Sequence, residues 1–428
     1  MKGRLWIGLA AVLAAVCYVG LRTSSLGFSK DRVAPAPAPA PAPRASLRPA
    51  GPAGHRVENE ARRVRSHAAA VVPHGELAEL VSDGELACAL SAAVPHWRPL
   101  RTATTLHALR LWGLASEFPP GFEPPPGPSG RRFLEILTDD AAWKSENPDS
   151  EGQFLLRTPY GIRVSVAHEA LSGSLLGAGH VDQLLSAFAD AGVPLCTAIV
   201  PGSGDAGTVE DLLADSMMRF SAYQEMEFTA SSFARWLSPP GRWKNRFGET
   251  YSLEMIANVL CEGPLGSGAC DGTHVPYAAA ILLGVDRGED LLSDEVSSAL
   301  VAYLKECTLA LEANELPAGG WDADWGGSRR AHPPGEQSWS NRFERISNTG
   351  HHLEWIALAP SECRPSAAVV RRAVASLSRE IESLTLEERK NFKHFWPLSH
   401  AARALVLLRS VDAFDAWRKL DERKEIEG

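Results

Sequence analysis

The chain has 428 residues, a formal net charge of −9 at pH 7 and 45% hydrophobic residues, a composition ordinary for a globular protein. The excess of acidic residues argues against nucleic-acid binding, which requires a basic face. The sequence has no nucleophile-elbow serine, phosphate-binding Gly-Lys-Ser/Thr loop, dinucleotide fingerprint or His-Glu-x-x-His motif. The commonest hydrolase, nucleotide-binding and zinc-protease classes are therefore disfavoured.

The N-terminus predicts a membrane anchor. Lys2 and Arg4 precede an apolar run from Leu5 to Leu21. As a helix, this run would rise about 25 Å, slightly short of a hydrocarbon core but sufficient when flanking side chains reach the interface. We expect an uncleaved anchor over residues 1–22, with a cleaved signal peptide as the alternative and lipidation at Cys17 as a third. The basic tip predicts that the bulk of the chain is extracytoplasmic.

A linker and one large domain follow the predicted anchor. The Ala-Pro alternation of residues 34–43 favours extended polyproline II, so residues 23–54 are predicted to be a semi-rigid spacer. The globular part is predicted to cover residues 55–428. Its size predicts either two domains or one large closed architecture.

From residue 55 onward, apolar residues recur at helical spacing between Pro and Gly clusters. The predicted helices are Val57–Val71, Glu76–Val94, Thr102–Ser116, Arg131–Trp143, His180–Ala191, Val209–Leu237, Ser252–Cys261, Thr273–Leu283, Ser293–Ala313, Thr349–Leu358, Ser366–Leu384 and Leu398–Leu408. Only Phe154–Val166 alternates like a short β-hairpin. Many helices with short loops predict an all-α fold of paired helices, arranged around a centre or as a solenoid.

Several predicted helices carry a histidine near their start, at His107, His274, His351 and His400. The first and the last share the pattern His-Ala-x-Arg. If the helices alternate between an inner and an outer ring, these histidines lie at equivalent positions around one cavity. The alternative is that each is a capping or core histidine with its own hydrogen bonds.

The segment Glu315–Trp321 resembles the Gln-x-Pro-Asp-Gly-Gly-Trp turn of terpenoid cyclases and protein prenyltransferases, with Glu315 and Ala318 as departures. The resemblance implies an α/α toroid, with inner and outer rings of helices, over about residues 75–410. It does not imply their chemistry, because fold and function are separable. The Asp-x-Asp-Asp motif of the cyclases is absent, since Asp322-Ala323-Asp324 lacks the last Asp. The expected fold is an all-α toroid with an N-terminal transmembrane helix and a small β-hairpin insertion.

The segment Gly350–Trp355 is similar to the Gly-His-x-x-Glu-Trp signature of sugar 2-epimerases, which are also α/α barrels. The resemblance implies that His351 is an acid/base and that Glu354 orients it. Imidazole titrates near neutrality, and a carboxylate three residues along a helix can fix its tautomer. The further candidate catalytic residues in this cavity are His274, His352 and His400.

A zinc site is a second hypothesis. Cys270 and His274 are four residues apart and would share a helix face, with Asp271 beside them. Zinc accepts thiolate, imidazole and carboxylate ligands. The alternative is a tight glycine-rich turn that begins an inner helix.

Sugar-binding residues are predicted in a loop. Trp243, Asn245, Arg246 and Glu249 place aromatic, amide and charged groups together, and Trp321 would lie at the same mouth of the cavity. Aromatic and charged groups commonly stack against and hydrogen-bond a sugar ring. Structural packing explains the same residues equally well.

Six cysteines besides Cys17 leave their redox state open. Cys261 and Cys270 are the pair most expected to form a disulfide, and free buried thiols are the alternative.

Three functions remain from the sequence. The first is an extracytoplasmic epimerase, lyase or hydrolase that acts on a carbohydrate or cell-envelope polymer. The second is a noncatalytic helical scaffold that binds a protein or glycan at the envelope. The third is a terpenoid-cyclase-like or prenyltransferase-like enzyme, which requires a deep cavity lined by apolar and aromatic residues.

Overall fold

The computed structural model describes residues 64–96, 99–118, 128–150, 152–166, 178–327 and 340–427. These residues all belong to one compact unit, Asn59–Gly428. The protein is 59% helical with few short strands, which confirms the all-α prediction. None of the described helices combines the length and the apolar composition that a membrane span requires. The predicted anchor and linker, residues 1–54, lie outside the described residues.

The helices and strands have the following bounds. The helices are α1 (Asp83–Ala92), α2 (Thr102–Trp112), α3 (Gly130–Thr138), α4 (Asp140–Glu146), α5 (Gln183–Asp190), α6 (Val209–Arg219), α7 (Glu227–Trp236), α8 (Leu253–Glu262), α9 (His274–Glu289), α10 (Asp294–Ala313), α11 (Ser340–Leu358), α12 (Ala367–Glu382), α13 (Leu386–Lys390), α14 (Phe395–Arg409) and α15 (Ala413–Glu427). The strands are β1 (Leu155–Arg157), β2 (Ile162–Val164), β3 (Ala198–Ile199), β4 (Gly207–Thr208), β5 (Arg242–Lys244) and β6 (Thr250–Ser252). They pair as three antiparallel hairpins, β1–β2, β3–β4 and β5–β6.

Six largely buried helices pack in a closed order. Helix α2 contacts α5, α5 contacts α7, α7 contacts α9, α9 contacts α11, α11 contacts α14, and α14 returns to α2. Every residue of α7 is buried, as is nearly every residue of α14. A helix that is buried on all sides belongs to the core of a large domain. These six helices therefore surround the centre of the unit.

The remaining long helices pack outside these six. Helix α3 lies against α2, α8 against α7 and α9, α10 against α9, α12 against α11, and α1 against α14. The sequence of α12 explains its outer position, because only one face of the helix is apolar. Its buried residues Val370, Val374, Leu377 and Ile381 recur at helical spacing. Such a helix buries one stripe and leaves the opposite face in water.

Helices α11 and α14 approach each other closely because of a glycine. A Cβ atom at Gly350 would lie 2.8 Å from the backbone nitrogen of Ala401. The absence of a side chain at this position lets the two backbones meet. The next residue, His351, can then reach His400 on α14.

The turn between α10 and α11 holds the Gly-Gly-Trp segment. Gly319 and Gly320 have φ angles of 90° and 78°, which side chains disfavour. A Cβ at Gly320 would also lie 2.7 Å from Thr349 Oγ1. The Trp321 Nε1 group donates to the carbonyl of Leu311 at 2.9 Å, so the indole closes the end of α10.

Two predicted helices are wrong in their described parts. Residues 64–71 of Val57–Val71 are not helical, and the backbone N–H groups of Arg65 and Ala69 donate to carbonyls at the end of α7. Residues 76–94 do not form one helix, because a 3-10 helix ends at Leu80, Val81 is extended, and Ser82 then caps α1 by accepting from the N–H of Glu85.

The predicted helix Arg131–Trp143 is wrong, because the extended residue Asp139 divides it into α3 and α4. The predicted helix Val209–Leu237 is also wrong, since it is two helices, α6 and α7. The break lies where Ser221 N donates to Gln224 Oε1 and Tyr223 N donates to Ser221 Oγ. The predicted hairpin at 154–166 is confirmed as β1–β2, whereas the other two hairpins and the helices α13 and α15 were not predicted.

Candidate active site

Four of the central helices carry two levels of polar side chains. Each has a histidine and, three residues later, a second polar group: His107 and Arg110 on α2, His274 and Tyr277 on α9, His351 and Glu354 on α11, and His400 and Arg403 on α14. Residues three apart lie on the same face of a helix. The four helices therefore present one histidine level and one level of charged and phenolic groups.

The histidines form a continuous row. The ring centroids of His107 and His400 are 4.8 Å apart, those of His400 and His351 3.6 Å, and those of His351 and His274 4.9 Å. His180, which precedes α5, extends the row, at 4.9 Å from His274. The structure thus brings together His274, His351 and His400, which the sequence singled out, and adds His180.

Four of these imidazoles are neutral at neutral pH. Burial and the neighbouring Arg110 lower the pKa of His107 to about 3. Burial, followed by neighbouring imidazole and guanidinium groups, holds the pKa values of His274, His351 and His400 well below the ordinary range. A neutral imidazole has one nitrogen with a free lone pair, which can accept a proton or bind a metal ion.

Glu354 orients one of these histidines. Its Oε1 atom accepts from His400 Nδ1 at 2.8 Å, and its Oε2 atom accepts from Arg110 Nη2 at 2.9 Å and from Arg403 Nη1 at 2.8 Å. The predicted partner of Glu354 was His351, on the same helix. The carboxylate instead reaches across to α14. Because His400 is neutral and donates through Nδ1, its Nε2 atom carries the free lone pair.

Asp190, at the end of α5, connects the arginines and the tyrosine of the charged level through hydrogen bonds and ion pairs. It accepts from Arg110 Nε at 2.6 Å, from Arg235 Nη1 and from the Tyr277 hydroxyl at 3.2 Å, and it lies 3.1 Å from Arg403 Nη2. Burial opposes the ionisation of Asp190, but Arg403, Arg235 and Arg110 outweigh it and lower its pKa. Three guanidinium groups thus share two buried carboxylates, Asp190 and Glu354.

The other end of the row contains a thiol. Metal-ligating atoms of His180, Cys270 and His274 all lie within 4.8 Å of one another. His180 Nδ1 is 2.7 Å from Glu225 Oε1, and its Nε2 is 3.9 Å from Cys270 Sγ. Burial opposes charge on His180, but Cys270 and Glu225 outweigh it and raise its pKa to about 10.

Two groups of the described residues have the composition and spacing to hold a metal ion. One is His180, Cys270 and His274, and the other is His351, Glu354 and His400. The first contains both predicted zinc ligands and adds His180. Asp271, predicted to lie beside them, is not part of either group.

The backbone at Cys270 adopts an unusual conformation. Cys270 and Asp271 have φ angles of 47° and 56°, so two consecutive residues other than glycine are left-handed. This conformation costs a residue with a Cβ atom roughly 1–2 kcal/mol. The tight turn expected from the glycines is therefore present, and it also places the thiol beside His180. The prediction that Cys270 and His274 share a helix face is wrong, because α9 begins only at His274.

His352 and Trp321 do not join this row. The His352 ring packs against Trp325 and Trp321 at centroid distances of 4.6 Å and 5.4 Å, and its Nδ1 accepts from Trp355 Nε1 at 3.0 Å. Both side chains are fully buried. Adjacent helix residues point about 100° apart, so His351 faces the row while His352 faces the packing against the Gly-Gly-Trp turn.

The predicted sugar-binding loop is the β5–β6 hairpin. Trp243 is buried against Phe220, Phe233 and Tyr251. Asn245 Oδ1 accepts from the N–H groups of residues 247 and 249 and so closes the turn.

The charged residues of that loop lie at its surface. Arg246 is exposed and its guanidinium lies over the Phe247 ring, while Glu249 is exposed and accepts from Tyr251 and Asn245. The structure gives these residues roles in the hairpin itself rather than in the histidine row.

No disulfide links the described cysteines. The six are free thiols: Cys88, Cys196, Cys261, Cys270, Cys307 and Cys363. The pairing of Cys261 with Cys270 is therefore wrong; the thiols are free as in the alternative, although only Cys307 and Cys363 among them are buried. Because Cys270 is not in a disulfide, its thiol can contact His180.

Sequence reasoning missed most of the charged level. Arg110, Arg235 and Arg403 each interrupt an apolar helical stretch, as in Phe233-Ala234-Arg235-Trp236. A charged residue among residues that must be buried requires a buried partner. This signal would have identified the three arginines. No comparable signal marks His180 or Glu225.

Comparisons with known proteins give no relative of this chain. No family model matches it, no curated protein matches it, and no solved structure matches it.

Proposed function

We propose that the six central helices form the inner ring of an α/α toroid, whose centre is an enzyme active site for acid–base chemistry on a polar substrate. The observation that carries the proposal is the hydrogen bond from His400 Nδ1 to Glu354 Oε1, at 2.8 Å. Arg110 and Arg403 hold the other oxygen of the same carboxylate. A base oriented by a fixed carboxylate is a recurrent catalytic arrangement.

His400 and His351 supply two neutral imidazoles, each of which has a nitrogen that can accept a proton. His400 Nε2 accepts a proton from the substrate. The ring of His351 lies 3.6 Å away, and its buried Nε2 has no hydrogen-bond partner in the described part of the chain. A buried polar atom without a partner is costly unless a ligand satisfies it. General acid–base catalysis of this kind contributes roughly 10²- to 10⁴-fold in rate.

The side chains at the centre favour a polar substrate. Imidazole, guanidinium, carboxylate and phenol groups occupy the two levels, and each is a hydrogen-bonding group. A carbohydrate or cell-envelope polymer fits this chemistry, with epimerase, lyase or hydrolase activity. An isoprenoid substrate would need an apolar, aromatic-lined cavity, so the terpenoid-type alternative is disfavoured.

The scaffold alternative predicts histidines that are separately buried and satisfied by backbone groups. In the described part of the chain, the row instead bonds to Glu354, Glu225 and Cys270, and its rings contact one another. Such a polar cluster is expensive to bury and is typical of functional sites. This contrast favours the enzyme.

We propose an extracytoplasmic location and a bound zinc ion, as the sequence predicts. The domain would lie on the outer side of a cytoplasmic membrane, attached through residues 1–22, where envelope polymers are accessible. Zinc is the ion proposed for the group with Cys270 and His274, because it binds thiolate and imidazole together.

Isotope labelling tests the enzyme proposal for each of the three reaction types. Full-length protein is incubated with isolated envelope polysaccharides in D₂O or H₂¹⁸O. Epimerisation introduces deuterium at carbon, hydrolysis introduces ¹⁸O, and a lyase produces an unsaturated sugar that absorbs ultraviolet light. We expect one of these products from the wild type and from the control His67→Gln, whose histidine is exposed. We expect at least a 100-fold loss in His400→Asn.

The scaffold alternative makes the opposite prediction. Binding of the polymer without any labelled or unsaturated product, equal in wild type and His400→Asn, would show that the domain is a binding protein.

A further inference from the structure

We propose that His180, Cys270 and His274 bind one divalent ion of the zinc type, with a fourth coordination position left for water. The ion binding stands on its own geometry, whereas its role in catalysis rests on the proposed function above. The site extends the predicted pair of ligands by a third, His180, which precedes α5. Three protein ligands with an open position are typical of catalytic rather than structural zinc.

The distances suit tetrahedral coordination. Zinc bonds of about 2.3 Å to sulfur and about 2.0 Å to nitrogen place the two ligand atoms about 3.5 Å apart. His180 Nε2 and Cys270 Sγ are 3.9 Å apart, and the three ligand atoms of the group all lie within 4.8 Å. To complete the coordination, this pair would close by about 0.4 Å and the wider separations by up to about 1.5 Å.

Glu225 acts on the ion through His180. Its Oε1 atom lies 2.7 Å from His180 Nδ1, the ring nitrogen that faces away from Cys270. A carboxylate that accepts from one nitrogen of a histidine directs the lone pair of the other nitrogen to the metal. Glu225 is therefore a positioning residue, and it also supplies negative charge near the ion.

Two independent features of the other ligands point to an ion. His274 is 5% exposed, and its Nδ1 atom is buried without a hydrogen-bond partner in the described part of the chain. Cys270 is held in a left-handed conformation that places its thiol beside His180. Strained backbone and unsatisfied polar atoms cluster at functional sites.

The second candidate group is less suited to an ion. In the group of His351, Glu354 and His400, both carboxylate oxygens of Glu354 already accept hydrogen bonds. Two of the donors are Arg110 and Arg403, whose positive charges repel a cation. We therefore assign the ion to the group with Cys270 and acid–base chemistry to His351 and His400.

The fourth coordination position, left for water, indicates which class of reaction the site could perform. A zinc-bound water has a pKa of about 7 and is a nucleophile at neutral pH. In the hydrolysis of an ester or amide, its oxygen bonds to the carbonyl carbon, the bond to the leaving group breaks, and the proton that the water loses ends on the leaving group. Side groups of this kind on an envelope polymer are the substrate class that we infer.

Cobalt titration of the full chain tests the ion binding. Cobalt replaces zinc in such sites, and a thiolate ligand gives it a charge-transfer absorption. We expect one equivalent of Co²⁺ with this absorption, displaced by Zn²⁺. The absorption should be lost in Cys270→Ser and kept in Cys196→Ser, which changes an exposed free cysteine. Glu225→Gln should weaken cobalt binding roughly 10- to 100-fold.

Three outcomes would overturn the proposal: no binding of Co²⁺ by the wild type, a thiolate absorption that persists in Cys270→Ser, or equal affinity in Glu225→Gln. Circular dichroism confirms that each variant is folded. These assays need no substrate, so they fail or succeed independently of the acid–base proposal. Incorporation of ¹⁸O that depends on added Zn²⁺ then tests the hydrolytic role.

Discussion

The buried imidazole of His352 makes the stability of the domain depend on pH. Burial alone lowers the pKa of His352 from 6.5 to about 3, and the side chain is fully inaccessible. In the unfolded chain, the imidazole of His352 therefore becomes protonated below pH 6.5, whereas in the folded chain it becomes protonated only below about pH 3. The stability contribution is fully present above pH 6.5 and is lost as the pH falls through this window.

The size of the effect follows from the two pKa values. Between pH 8 and pH 5, His352 alone should lower the free energy of unfolding by about 2 kcal/mol. His352→Gln removes the titratable group. We expect the variant to be less stable than the wild type at pH 8 and the gap to shrink by about 2 kcal/mol at pH 5.

Urea unfolding at both pH values, followed by circular dichroism, measures this gap. His67→Gln is the control, because His67 is exposed. A gap between wild type and His352→Gln that is equal at pH 5 and pH 8 would refute the reasoning, since it would mean that the folded protein tolerates a charged imidazole among the tryptophans.

Three further substitutions test the packing around the site. Glu354→Gln should lower the free energy of unfolding by about 3–5 kcal/mol in urea, because it removes one of the two carboxylates that balance the buried guanidinium groups of Arg110 and Arg403; a loss below 1 kcal/mol would contradict the buried ion pairs. Gly350→Ala should cost about 1–3 kcal/mol in the same assay and lower activity, because the new methyl group meets the backbone of Ala401; the wild-type stability would rule out the close contact. Cys270→Gly should be about 1–2 kcal/mol more stable than Cys270→Ala with a chelator present, since glycine accepts the left-handed conformation; equal stabilities would contradict the strain.

Local patterns explain which parts of the site could be predicted. The pattern His-Ala-x-Arg places His107 above Arg110, and His400 above Arg403, on one helix face, and spacing within a helix can be read from sequence. Which side chain on another helix each residue will hydrogen-bond cannot be read from the sequence. Glu354 lies three residues from His351, yet it bonds to His400, 46 positions away, because helices α11 and α14 meet at Gly350.

The thiol end of the row shows the same limit. His180 and Cys270 are 90 positions apart, and neither lies inside a long helix whose periodicity would orient it. Their proximity depends on a turn with two left-handed residues, Cys270 and Asp271, which side chains disfavour. Sequence reasoning identified Cys270 as a candidate ligand but did not identify His180, the histidine that contacts it.

The predicted helix boundaries were wrong where side chains compete with backbone carbonyls for the backbone N–H groups. The apolar pattern of residues 209–237 continues across the break between α6 and α7, so periodicity indicates one helix. Ser221 and Gln224 bind nearby backbone N–H groups and stop the first helix. Such local hydrogen bonds change the fold without changing the hydrophobic pattern.

The closing contact between α2 and α14 has a consequence for synthesis of the protein. These are the first and the last of the six central helices, so a chain emerging from the ribosome has to form most of the domain before the two can meet. Until then, helices without a water-facing side are exposed, and the buried arginines and carboxylates lack their partners. Contacts between distant parts of a chain slow folding and prolong exposure of apolar surface. We therefore expect chaperone-dependent expression, and chains shortened before α14 to aggregate rather than persist as smaller folded forms.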